Sequence, residues 1–126
     1  MNPQYLAGLT PQQRLLQQAA IRKSQSEYAK TGLVKDRQEV SKKPTPRSIH
    51  AINFEKKYGF SVSDIPRVKK EFPDVDVEGI LSKGRAAYAS SGSRPNTTAE
   101  AWARARLASA LTGGKAARVD KKELGI

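Results

Sequence analysis

Short polar side chains and one arginine cluster in a single predicted turn, SSGSRPNTT at residues 90–98. Gly92 can take the left-handed backbone conformation that ends a helix, and Pro95 pushes the residue before it into an extended conformation. The free N–H groups of the next helix begin within this turn, and such a helix N-terminus attracts phosphate or carboxylate groups. A helical hairpin whose polar groups satisfy only each other is the alternative interpretation. The candidate anion-binding residues are Ser93, Arg94, Asn96 and Thr97.

Cations on both sides of the turn could extend this site. Arg85 lies on the preceding predicted helix, and Arg104 and Arg106 lie on the following one, where a spacing of two residues points them in different directions. We expect these two arginines to be solvated or to pair with the acidic segment at residues 61–78. The remaining basic candidates are Lys115 and Arg118 near the C-terminus, and Lys42, Lys43 and Arg47 in a proline-containing segment.

Reactive side chains are scarce in this sequence. Cysteine is absent, which excludes disulfides and thiolate metal sites, and the single histidine, His50, argues against a histidine metal cluster. The stretch TGGKA at residues 112–116 lacks the phosphate-loop pattern, because Ser109 stands where glycine is required and Ala116 where serine or threonine is required. We therefore predict no enzyme, no catalytic residues, no metal site and no cofactor.

The chain of 126 residues carries a formal charge of +11 and has a pI near 10.1. Residues 1–60 and 83–119 hold the positive charge, on either side of a mildly acidic middle. Such a surface attracts nucleic acid, anionic membranes or acidic proteins. Apolar runs stay well below the ~18–20 residues of a membrane-spanning helix, and the N-terminus lacks the basic head and apolar stretch of a secretory signal. We expect a soluble protein, or one recruited to an assembly from the soluble phase.

Helix-capping signals recur along the chain and no convincing strand pattern does, so the predicted fold class is all-α. Residues 1–47 are predicted to form an N-terminal arm with one helix at 11–30 and a basic, proline-containing linker. Residues 48–126 are predicted to form a compact bundle of about four helices. These lie at 49–58, in a short stretch carrying Ile65 to Phe72, at 77–90 and at 98–112.

The predicted helix boundaries depend on specific capping residues. Gly84 lies inside a predicted helix, where glycine costs ~1 kcal/mol relative to alanine, and this indicates a close approach of another helix. One further turn is expected from Asp120, with Leu124 packed on the domain. The predicted N-caps are Thr10 with Gln13, Ser48, Ser63, Asp76, and Thr97 with Glu100, and the predicted stops include Gly32, Gly59, Gly92 and Gly113.

Residues 83–124, KGRAAYASSGSRPNTTAEAWARARLASALTGGKAARVDKKEL, resemble a family of small uncharacterised proteins of large double-stranded DNA viruses and tailed phages. The upstream stretches YLAGLTPQQR and KSQSEYAKTGLVKDR are similar to N-terminal arms in proteins of giant algal-type viruses. This resemblance implies a viral source and no mechanism. The residues that carry it are Lys83-Gly84, Ala87-Tyr88, Ser91 to Pro95, Thr98, Trp102, Ala105-Arg106, Thr112 to Ala116 and Asp120-Lys121.

Two functional hypotheses follow. In the first, the chain is a non-enzymatic virion component, of the minor capsid or cement type, whose basic surface and arm bind larger subunits. It would then be found in the virion, and in the host cytoplasm during assembly. In the second, it is a virion-associated or regulatory DNA-binding protein whose cations contact phosphates.

Overall fold

Helices make up the regular secondary structure of the described residues, which are 1–42, 47–114, 116–117 and 120–125 of this computed structural model. No strand occurs within those ranges, and the all-α prediction is confirmed for them. A short 3-10 helix, Pro3–Leu6, precedes five α-helices. These are α1 (Pro11–Thr31), α2 (Ile49–Tyr58), α3 (Ile65–Glu71), α4 (Val77–Ser90) and α5 (Ala99–Leu111).

Most helix boundaries fall at the predicted capping residues. At the start of α1, Thr10 Oγ1 accepts a hydrogen bond from Gln13 N at 3.2 Å, and Gln13 Oε1 accepts one from Thr10 N at 3.0 Å. This reciprocal pair satisfies two N–H groups that the helix itself leaves without partners. The other confirmed caps are Ser48 and Asp76 at helix starts and the left-handed Gly32 and Gly59 at helix ends.

Two predicted N-caps are wrong by one residue. Asp64 caps α3 in place of Ser63, and its carboxylate accepts the backbone N–H three residues on at 3.4 Å. Thr98 caps α5 in place of Thr97, and its Oγ1 accepts the N–H of the third residue on at 3.1 Å. In both cases two adjacent residues can cap a helix, and local sequence does not decide between them.

The chain divides into two compact units, the first formed by Met1–Pro46 with Arg85–Trp102 and the second by Arg47–Gly84 with Ala103–Ile126. The sequence-based division at residues 47 and 48 stays a prediction. The structural division differs from it by grouping Arg85–Trp102 with the N-terminal residues.

The second unit has a conventional apolar core of aromatic and aliphatic side chains. Phe54 lies at its centre, fully buried, with the rings of Tyr58 and Phe60 at centroid distances of 4.8 and 5.2 Å. Leu124 packs against this core, and its N–H donates to Asp120 O at 3.0 Å, which confirms the predicted last turn. The remaining core residues include Val62, Val68, Val77, Ile80, Leu81, Leu107 and Leu111.

Within the second unit, Gly84 of α4 lies directly against Ala103 of α5. A Cβ atom at Gly84 would lie 2.6 Å from Ala103 Cα and 3.1 Å from Ala103 Cβ. Such distances exclude any side chain at position 84 unless one backbone moves. The close approach predicted from this glycine is confirmed.

The first unit buries few residues, and two of them, Gln17 and Ser93, are polar. Helix α1 buries Gln17 and Ile21, and Gln17 Nε2 donates to Ser93 O at 3.4 Å. A Cβ atom at Gly92 would lie 2.9 Å from the Tyr5 ring and 3.3 Å from Ile21 Cδ1. The turn after α4 therefore packs closely on the N-terminal residues, and hydrogen bonds supply much of that contact.

We predict that Gly84→Ala lowers the free energy of unfolding by about 1–3 kcal/mol, as overpacking of a tight core does, although alanine is the better helix former. Ser82→Ala, at an exposed position of the same helix, is the matched control and should be neutral or slightly stabilising. Urea denaturation measures both. A Gly84→Ala protein as stable as the wild type would contradict the close contact with Ala103.

Candidate partner-binding surface

Residues 36–41, predicted as part of a polar linker, are hydrogen-bonded to residues 96–99 within the first unit. Asp36 Oδ1 accepts from Ala99 N at 2.8 Å. Asn96 Oδ1 accepts from Val40 N at 2.9 Å, and Asn96 Nδ2 donates to Ser41 O at 3.1 Å and to Ser41 Oγ at 2.9 Å. Asn96 has a positive φ of 61°, a conformation that asparagine tolerates better than most residues.

Arg37 is the centre of this arrangement. Its guanidinium carbon lies 3.7 Å from the centroid of the Tyr88 ring, and its N–H groups donate to Tyr88 O at 2.7 Å, Ser93 Oγ at 2.7 Å and Ser24 Oγ at 3.1 Å. Burial lowers the pKa of the Arg37 guanidinium, while the neighbouring tyrosine opposes that shift. The fork of donors and the stacked ring together require arginine at this position.

The hydroxyl of Tyr88 connects the same two segments. It accepts a hydrogen bond from Arg37 N at 2.8 Å and donates one to Thr97 O at 3.0 Å. The residue is fully buried, and burial raises the pKa of its phenol. Tyr88 therefore fixes both the 36–41 segment and the start of the turn into α5.

The predicted anion-binding residues of the turn are largely engaged by this network. Ser93 is 1% exposed, and its Oγ accepts from Arg37 and donates to Arg94 O at 2.9 Å. The Asn96 amide binds residues 40 and 41. Thr97 Oγ1 is buried and has no hydrogen-bond partner in the described part of the chain. Among the four candidates, Arg94 keeps a partly exposed charged side chain.

Three of the other predicted cations form ion pairs. Arg85 pairs with Glu100 on α5, and Arg47 Nη1 lies 2.6 Å from Glu55 Oε2. Arg106 donates from Nε and Nη2 to the two oxygens of Asp120 at 3.0 and 2.9 Å. We expected Arg106 to be solvated or to pair with residues 61–78, and in the structure it pairs with Asp120 instead.

Two of the remaining candidates belong to the described residues and three do not. Arg104 is partly exposed, Lys42 is exposed, and neither forms an ion pair with any described residue. The predicted residues Lys43, Lys115 and Arg118 lie outside the described residues.

Asn96 brings two of the predicted cations into one region of the first unit. Lys42 follows Ser41, to which Asn96 is hydrogen-bonded, and Arg94 precedes Asn96 by two residues. Lys42 and Arg94, 52 positions apart in sequence, thus lie on either side of the hydrogen bonds between Asn96 and Ser41. Of the nearby acidic groups, Glu100 pairs with Arg85 and Asp36 accepts from a backbone N–H, while Glu39 is exposed three residues before Lys42. We call Lys42 and Arg94 the cationic pair.

Sequence reasoning missed Arg37 and the ion pairs of the buried Asp120. Arg37 gives no local signal, because its contacts with Tyr88 span 51 residues. Asp120 is fully buried and also lies 3.5 Å from Lys83 Nζ, whose main partner is Glu123 at 2.6 Å. A signal for Asp120 was present, since it is the only acidic residue between positions 101 and 122.

A cavity of about 240 Å³ in the second unit is lined by Tyr58, Phe60, Arg67, Glu71 and Phe72.

No group of three or more His, Cys, Asp or Glu residues suited to a metal ion occurs among the described residues. Within the same residues, no helix combines the length and the apolar character needed to cross a membrane.

Residues 2–124 match a family of unknown function, DUF5824, and the chain belongs to this family. The match covers nearly the whole chain, including both units and the cationic pair. Comparisons with curated proteins and with solved structures gave no significant match. The prediction that the chain resembles an uncharacterised family is confirmed, and the match says nothing of a viral or phage origin.

We predict that Arg37→Met lowers the free energy of unfolding by about 2 kcal/mol, because three buried or half-buried acceptors lose a charged donor. Arg37→Lys should also destabilise, since lysine cannot reproduce the fork and the stacking. Lys35→Met, exposed two residues away, should change stability little. If Arg37→Met were as stable as the wild type in urea denaturation, the hydrogen bonds of Arg37 would not be what holds residues 36–41 in place.

We also predict a pH-dependent role for Glu123. Lys83 Nζ, 2.6 Å from Glu123 Oε1, lowers the pKa of this carboxyl below its usual value. The ionised Glu123 carboxylate therefore stabilises the folded protein above the unfolded-state pKa. This stabilisation is lost as the pH falls through the folded-state pKa. Glu123→Gln should lower the melting temperature at about pH 7, and the difference from the wild type should narrow towards about pH 3. A difference that stayed constant, or one equalled by the exposed control Glu71→Gln, would contradict this role.

Proposed function

We propose that this protein is a non-enzymatic structural component of a virus particle, of the minor capsid or cement type, that binds larger subunits through its cationic surface. The proposal combines the resemblance of residues 83–124 to proteins of large DNA viruses and phages with the placement of Lys42 and Arg94. It implies that the protein is present in the virion, and in the host cytoplasm during assembly.

The cationic pair is the observation that carries the proposal. The first unit contains ten basic and four acidic residues, a net charge of +6. Its turn is rigidly hydrogen-bonded, so Arg94 is presented from a fixed backbone and little ordering is needed on binding. A negatively charged surface of a larger subunit would neutralise this excess charge.

Around the turn, the use of the predicted cations favours a protein partner over duplex DNA, although exposed lysines and arginines occur elsewhere in the chain. DNA-binding proteins commonly neutralise ~6–10 phosphates with lysine and arginine. Here Arg47, Arg85 and Arg106, three of the cations considered for that role, are engaged in internal ion pairs. The cationic pair is suited to a few contacts with carboxylates at a protein surface.

The test is quantitative mass spectrometry of purified, salt-washed virus particles containing either the wild type or the double variant Lys42→Gln/Arg94→Gln. We expect the wild type at a fixed ratio to the main subunits. The double variant should be retained about fivefold less, from roughly 0.5 kcal/mol for each exposed charge contact. Its melting temperature should not change, because neither side chain forms an ion pair among the described residues.

The matched control is Lys121→Gln/Lys122→Gln, which removes the same charge from two exposed positions of the second unit. Equal losses with both double variants would show that only net charge matters and would overturn the role of the cationic pair. Absence of the wild type from particles, together with submicromolar duplex-DNA binding that weakens steeply with salt, would establish the DNA-binding alternative instead.

A further inference from the structure

Helix α1 buries one polar and one apolar side chain and exposes its leucines. Gln17 is 1% exposed and Ile21 is fully buried, whereas Leu15 and Leu16 are 67% and 61% exposed. The usual amphipathic helix shows the opposite arrangement, with its leucines against the core.

The buried face of α1 is held by hydrogen bonds that the leucines could not replace. Gln17 Nε2 donates to Ser93 O at 3.4 Å, and Gln25 Nε2 donates to Ser91 O at 3.2 Å. Ser24 Oγ accepts from the Arg37 guanidinium at 3.1 Å. These contacts fix the rotation of the helix about its axis, so Leu15 and Leu16 are kept at the surface.

The exposed face changes from apolar to cationic along its length. Leu15, Leu16 and Ala19 occupy its N-terminal half, and Arg22 and Lys23 follow two turns later, also exposed. Seven residues of α-helix place these cations about 10 Å along the axis from the leucines. Neither cation forms an ion pair with a described residue.

From this arrangement we infer that the exposed face of α1 is a docking site for an acidic amphipathic segment of another protein. That segment would bring apolar side chains to Leu15 and Leu16 and carboxylates to Arg22 and Lys23. Two leucines and an alanine are few for a membrane-surface helix, which carries apolar residues along one whole face. A second copy that met this face with its own α1 would bring further cations to Arg22 and Lys23, and Glu27 is the one acid of that helix. These residues are distinct from the cationic pair, and the inference does not depend on a viral origin.

The probe is a synthetic amphipathic helix with leucines on one face and glutamates two turns away, compared with a scrambled peptide of the same composition. Binding to the full-length protein is measured by fluorescence anisotropy. We expect the ordered peptide to bind more tightly than the scrambled one. Leu15→Gln/Leu16→Gln should weaken binding about tenfold or more, from the apolar area that is no longer buried. Arg22→Gln/Lys23→Gln should weaken it less and remove most of its salt dependence.

The matched control is Leu33→Gln, which makes the same chemical change at a leucine that is 59% exposed and lies beyond the end of α1. It should leave binding unchanged, and glutamine at positions 15 and 16 should preserve the helix, because its helix propensity is close to that of leucine. Equal binding of the scrambled peptide would overturn the inference in favour of charge alone. Leucine-dependent self-association in sedimentation velocity, or leucine-dependent binding to phosphatidylserine vesicles without peptide binding, would overturn it in favour of a second copy or a membrane.

Discussion

The stacking of Arg37 on Tyr88 is the constraint on which the first unit depends. One guanidinium and one phenol hydroxyl join residues 36–41, the end of α4 and the turn into α5. Each hydrogen bond contributes only about 0.5–1.5 kcal/mol when made, but a buried group left without its partner costs about 1–3 kcal/mol. A unit built in this way tolerates little change, since removing one member leaves several others unsatisfied.

The second unit is stabilised by a different balance of forces. Its core is aromatic and aliphatic, and a close α4–α5 contact at Gly84 sets how tightly that core can pack. Asp120 is the exception, a carboxylate with no exposure to water. A buried charge of this kind is tolerated only with compensating partners. Arg106 supplies two hydrogen bonds and Lys83 a second positive charge.

Local signals predicted the helices and the close approach at Gly84, whereas the long-range partners of Arg37 and Arg106 escaped prediction. Capping residues act on N–H groups within three positions, so Thr10 with Gln13, Ser48 and Asp76 were recognisable from sequence alone. Even so, adjacent capping residues at 63–64 and 97–98 left each boundary uncertain by one position. The partners of Arg37 and Arg106 depend on which segments meet in space. For that reason, residues 36–41, which have the composition of a linker, are hydrogen-bonded to residues 96–99. Arg106, expected to be solvated or to pair with residues 61–78, binds Asp120.

The orientation of α1 shows why composition alone misjudges this helix. The apolar residues of this helix are sparse, and an ordinary amphipathic helix would place its leucines against the core. Instead, the glutamine and serine side chains make hydrogen bonds beside the buried Ile21, because the turn at 91–93 presents carbonyl groups to this face of the helix. The leucines therefore contribute little to the stability of the first unit. With the docking proposed above, folding and recognition would use opposite faces of one helix, and a change on one face would have no direct contact with the other.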